Sequence, residues 1–175
     1  MKLRVLPPLH WQLTGAITHI STILKNLRTR KIIFSIDQDD QELNNLKTQL
    51  ENEMKENSIH FSLEEQQNRL YIYNCSYVQH QFEFIVAING LNASYRYSKH
   101  TIEDHLLSLF MKTSNNSQEL MEALEKSGGN PKEAWRLLKR YHDNVYFGLL
   151  NRKISDLQRI FPQQIESLRK LESKV

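Results

Sequence analysis

The sequence predicts an α+β fold in two parts. Residues 1–97 form a small sheet of about four to five mostly antiparallel strands with two helices, and residues 98–175 form an all-α half of four to five helices. Three observations carry this. Alternating apolar and polar residues cluster between Ser58 and Ile88, apolar residues at spacings of three and four precede and interrupt them, and the strand signals vanish after Ser98.

Each element has its own signature. Lys2 to Leu6 reads as a short strand closed by Pro7-Pro8. Leu13, Ala16, Ile17, Ile20, Leu24 and Leu27 lie on one helical face, and Lys31 to Ile36 is β-branched and aromatic, as a buried strand requires. Asp37, Asp39 and Asp40 supply capping oxygens for a second helix striped by Leu43, Leu46, Leu50 and Met54. Three strands follow, at Ile59 to Leu63, Arg69 to Cys75 and Gln81 to Ile88. Glu64 to Asn68 is the expected hairpin connection, and Asn89-Gly90 the closing turn.

In the second half, Ile102, Leu106, Leu109 and Phe110 make one helical face, and Leu120, Met121 and Leu124 another that Gly128-Gly129 ends. Asn130 is then an N-cap, Pro131 suits the first helical position, and Glu133 stands where a capping box expects an acid. A final helix bearing Leu157, Ile160, Phe161, Ile165, Leu168 and Leu171 is kinked or restarted at Pro162.

With 39% apolar and 25% charged residues, the chain is too apolar to stay disordered. No apolar run is long enough for a membrane span or a leader, so a cytoplasmic protein without membrane contact is expected. Cys75 is the only cysteine, which excludes an internal disulfide. The seven histidines lack zinc-enzyme spacing and glycine-rich phosphate loops are absent, so no metal, cofactor or catalytic residue is expected. Tyr71, Tyr73, Tyr77, Tyr95 and Tyr97 beside Arg69 and Arg96 suit core packing better than a single-strand surface. Charge is uneven along the chain. Residues 1–36 carry six basic and no acidic side chains, 37–130 carry 7 basic and 15 acidic, and 131–175 carry 10 basic and 5 acidic. Such a pattern suits an anionic partner, and equally lets the ends neutralise the middle within one fold or across a homodimer.

The stretch Leu120-Met121-Glu122-Ala123-Leu124, then Ser127-Gly128-Gly129-Asn130, Ala134 and Leu137-Leu138 resembles the C-terminal helix-turn-helix of the Fis and NtrC families of bacterial regulators. The match spans about twenty residues. It departs at Trp135, where the family places a small residue, and at Lys139, where it places a turn glycine. The resemblance implies a recognition helix from Tyr141 to Lys153, with His142, Asn144, Tyr146, Asn151, Arg152 and Lys153 as candidate DNA contacts. Ala134, Leu137, Leu138, Tyr141, Val145 and Leu149 also continue a single helical period, so an unbroken helix from Pro131 to Asn151 is the alternative. The same residues are similar to the last two helices of ubiquitin-associated domains. Met111-Lys112-Thr113 stands where those carry a Met-Gly-Phe type loop, so this likeness speaks for a three-helix shape and not for ubiquitin binding.

These readings make the chain a non-enzymatic, DNA-binding regulatory protein with a Fis-like helical module, its N-terminal unit sensing, dimerising or docking. The alternative is an adaptor or effector whose C-terminal helices contact another protein. DNA binding needs a chain reversal near Lys139, whereas an adaptor needs a contiguous apolar patch on the C-terminal helices.

Overall fold

The computed structural model describes residues 13–26, 30–92, 97–113 and 117–172. The strand expected at Lys2 to Leu6 lies outside them, as do Leu27 and Tyr95. Helix α1 (Leu13–Asn26) leads to strand β1 (Lys31–Asp37), helix α2 (Leu43–Glu56) and strands β2 (His60–Gln67), β3 (Leu70–Tyr77) and β4 (His80–Asn89). Six α-helices follow: α3 (Ile102–Thr113), α4 (Ser117–Lys126), α5 (Pro131–Leu137), α6 (His142–Leu150), α7 (Ile154–Ile160) and α8 (Pro162–Glu172). The helical half thus has more pieces than the periodicity alone predicts. Two apolar stripes that are continuous in sequence are cut, at Lys139–Tyr141 and at Phe161. The second cut has a local cause. Phe161 lies at φ −123°, ψ 58°, outside the helical region that a residue preceding proline avoids.

The sheet order is β1-β4-β3-β2. β4 pairs antiparallel with β3, and β3 with β2, while β1 joins β4 as the one parallel pair. The period of two sorts the strands cleanly. Tyr71, Tyr73, Cys75, Phe82, Phe84, Val86 and Ile88 point to one face, where Ile17, Ile20 and Leu24 of α1 and Leu46, Leu50 and Met54 of α2 cover them. Leu70, Ile72, Ile85 and Ala87 point to the other. There α8 crosses β4 and β1, with the Lys31 ammonium donating to the Lys170 carbonyl at 2.7 Å and Lys170 pairing with Glu65 at 2.6 Å. The helical half has a separate core of Leu107, Leu109, Phe110, Leu120, Ala134, Trp135, Leu138, Val145 and Ile160. Tyr71, Tyr73 and Tyr97 are buried in these cores, so they offer no stacking platform to a nucleic-acid strand.

Two sequence expectations are corrected. Glu64 to Gln67 belong to β2, which takes a register shift between Leu63 and Glu65. The reversal is the tight turn Asn68-Arg69, opened by Asn68 at φ 49°. Nor do the aspartates cap α2, which begins at Leu43 behind Glu42 with no side-chain cap. Asp37 ends β1 and instead accepts from the Ile102 backbone N–H at 3.0 Å, capping α3 across the structure. It also accepts from Asn89 at 3.0 Å and pairs with Lys132 of α5 at 2.9 Å.

Asp37 belongs to a polar seam joining sheet and helices. Asp104, wholly buried, accepts from the Thr101 and Leu91 backbone N–H groups at 3.2 Å and meets His100 Nδ1 at 3.0 Å. Burial raises its carboxyl above the usual carboxylate range, against the pull of those hydrogen bonds. Arg69, only 5% exposed, donates to the Gln38 and Asn92 side-chain oxygens, and desolvation lowers its pKa. Gly90 closes the seam at φ 131°. A Cβ there would lie 2.6 Å from that of His100, so the position requires glycine.

Candidate functional site

Helices α4, α5 and α6 form the unit on which the sequence placed a DNA contact. α4 ends where Gly128 and Gly129 adopt φ 60° and 77°, and the Gly129 N–H returns to the Leu124 carbonyl at 2.8 Å. The Asn130 side chain then accepts from the Lys132 and Glu133 backbone N–H groups at 3.1 and 3.4 Å, with Pro131 at the first helical position. The capping box is only half made, because the Glu133 carboxylate turns to Arg136 Nε at 2.8 Å.

The helix is interrupted after α5. Leu138 (φ −88°, ψ 16°) leaves the helical region, and Lys139–Tyr141 form one 3₁₀ turn before α6. No glycine is needed, because tertiary contacts hold the turn. Arg140 pairs with Glu119 of α4 at 2.6 Å, and the Tyr141 ring lies 5.2 Å from Phe110 of α3. Hydrogen bonds from Tyr141 and Arg140 hold the Glu119 carboxyl below its ordinary value. Trp135 is buried in the helical core without preventing the fold. Its indole stacks on the His142 ring at 4.0 Å and 10°, meets Tyr146 edge-on at 6.1 Å, and its carbonyl lies 2.9 Å from His142 Nε2.

Of the six candidate DNA contacts, Asn144, Tyr146, Asn151 and Lys153 are exposed, and His142 and Arg152 are half-buried. His142 is spent on Trp135. Asn151 donates to the Phe147 carbonyl at 2.8 Å as the C-cap residue of α6. Arg152 is half-buried, its Nε shut from solvent without a hydrogen-bond partner among the described residues. Asn144 and Lys153 are exposed, and Tyr146 presents 42% of its surface beside the indole. Arg136 and His142, considered as a helical ribonuclease pair, are engaged with Glu133 and Trp135 respectively.

The outer face of α6 is apolar instead. Phe147 is 71% exposed and Leu150 82% exposed, and Ile154 at the start of α7 is 64% exposed. Tyr146 and Leu150 are four apart and Phe147 and Leu150 three apart, so they adjoin on one helical face. Val145 is buried and Leu149 half-buried on the opposite side of the same helix. The signal was present in the sequence: Val145, Tyr146, Phe147, Leu149 and Leu150 spread apolar residues over more of α6 than a single buried stripe needs. Comparison with protein-family models, with curated proteins and with solved structures finds no match.

Proposed function

We propose that this is a non-enzymatic interaction protein, an adaptor or effector, whose contact surface is the apolar face of α6 and the start of α7. The observation that carries this is the exposure of Phe147 and Leu150 at 71% and 82% on the outward face of the helix expected to read DNA. Base edges are read by hydrogen-bond donors and acceptors, and phosphates by cations. Phenylalanine and leucine offer neither, and an exposed apolar patch of this kind ordinarily marks a protein contact.

One observation favours the DNA reading: the break at Lys139–Tyr141 divides this segment into separate helices, as a helix-turn-helix would require. Titration with duplex DNA at low salt separates the two readings. The expected result is no specific complex, with any weak association unaffected by Phe147→Ser. Tight binding that falls steeply with salt and is weakened by Lys153→Ala would overturn the adaptor reading.

A further inference from the structure

Helix α8 lies on the sheet by its polar side. Its apolar stripe is Ile165, Leu168 and Leu171, yet the residues it buries are Gln163 and Ser167, at 8% and 2% exposure. Leu168 is 46% exposed, and Ile165 and Leu171 are half-buried. The aliphatic floor beneath the helix is Leu70, Ile72, Ile85 and Ala87. The partly buried apolar residue packed on that floor is Ile33 of β1, not one of the three from α8. On a regular helix the stripe is offset by about a third of a turn from the side that meets the sheet.

Polar groups hold this seat. Gln163 donates to the Gly90 carbonyl at 3.2 Å and Gln164 to the Asn89 side chain at 2.7 Å. At the far end Lys170 pairs with Glu65 at 2.6 Å, and its carbonyl accepts from Lys31 at 2.7 Å. The Ser167 hydroxyl returns to its own helix, at the Gln164 carbonyl. The satisfaction is incomplete, because the side-chain oxygens of Gln163 and Gln164 are both shut from solvent without a hydrogen-bond partner among the described residues. Four polar contacts therefore favour the seat, while two unsatisfied acceptors and a misplaced apolar stripe oppose it. Phe161 breaks the helical path between α7 and α8, at φ −123° and ψ 58°, so a turn of α8 need not carry α7 with it.

We propose that α8 is a two-position element that turns about its own axis on the sheet. In the second position Leu168 and its neighbours in the stripe meet the aliphatic floor, and Gln163, Gln164 and Ser167 reach water. Packed surfaces switch between discrete seats instead of deforming continuously. The device is a surface switch: the polar seat shows a leucine to solvent, and the turned seat shows amides in its place. The Lys170–Glu65 pair is its clasp.

The test is thiol labelling of the folded chain with a water-soluble disulfide reagent. Cys75 is buried on the opposite face of the sheet, under α1 and α2, and reports unfolding of the whole chain. In Ser167→Cys the added thiol should react at least about tenfold faster than Cys75, because turning exposes it while the sheet stays folded. Glu65→Gln should speed that reaction several-fold. Leu168→Gln should slow it several-fold, whereas a helix fixed in one seat would ignore a change at so exposed a position. In Ala87→Cys the thiol lies in the floor and should stay as slow as Cys75. Equal rates at position 167 and Cys75 overturn the proposal, as does indifference to Leu168→Gln. A thiol at 87 that reacts as fast as one at 167 also overturns it, since α8 then lifts off instead of turning. The unaltered chain gives the same decision if a variant does not fold. Methyl NMR should show Leu168 exchanging between two environments while the α8 amides keep their protection from hydrogen exchange; a single environment, or lost protection, sinks the two-position helix.

Discussion

His105 is fully buried between backbone groups far apart in sequence. Its Nδ1 lies 2.5 Å from the Ile160 carbonyl, and its Nε2 accepts from the Gly90 N–H at 3.2 Å, while the ring stacks on Phe161 at 5.3 Å. That geometry assigns the neutral tautomer with hydrogen on Nδ1, since protonating Nε2 would set a donor against the Gly90 donor. Desolvation accordingly pushes the imidazole down from 6.5 to about 4. Between those values the unfolded chain binds a proton that the folded chain refuses. Stability contributed by His105 is therefore complete above pH 6.5 and is lost as pH falls toward 4, by at most about 1.4 kcal/mol per pH unit. Asp104, its carboxyl raised by burial, acts with the opposite sign at the acid end, and His100, Arg69 and Asp37 also border the seam. Denaturant melts from pH 7.5 to 4.5 should show the loss, and a folded His105→Asn variant should show a flatter dependence; an equal slope in both would refute the assignment. None of this was legible in the sequence. A histidine satisfied by residues 15 and 55 positions away looks the same in one dimension as a solvated one.

The boundary at Asn130-Pro131 could be read from the sequence because capping is local chemistry, carried within four residues. The break at Lys139–Tyr141 could not. The helical period runs through it unbroken, and the groups that meet the turn, Glu119 and Phe110, lie about twenty and thirty residues earlier. The same limit applied to the candidate site, where residue type pointed to cations and amides, while only the fold reveals that His142 and Asn151 are engaged and Phe147 is bare. Trp135 is the element-scale test. Trp135→Ala removes the ring on which His142 stacks and opens a cavity in the helical core, and should cost about 3–5 kcal/mol of stability. Trp135→Phe should recover most of it in the same denaturant titration. A loss below about 1 kcal/mol for the alanine variant would mean that the indole is not part of this core.

Across the whole molecule, the two halves are tied at both ends of the helical segment. The N-terminus of α3 is capped by Asp37 of β1, and α8 returns to the sheet, where Gln163 donates to the Gly90 carbonyl at 3.2 Å and Gln164 to the Asn89 side chain at 2.7 Å. The α+β class and most strands followed from local pattern, but this return did not, because nothing in residues 162–172 specifies which distant surface they cover. A chain ending at Phe161 should consequently lose cooperative unfolding and bind an apolar dye through Leu70, Ile72, Ile85 and Ala87. Retention of a single sharp transition would show that α8 is dispensable. The position of α8 also bears on synthesis. While the ribosome is still adding the residues after Asn89, a completed four-stranded sheet has one finished side and one bare side, and it stays so until about eighty more residues have emerged. Stalled or prematurely released nascent chains would therefore display aliphatic surface to chaperones and proteases, and quality control could tell them from the finished product without any dedicated degradation signal.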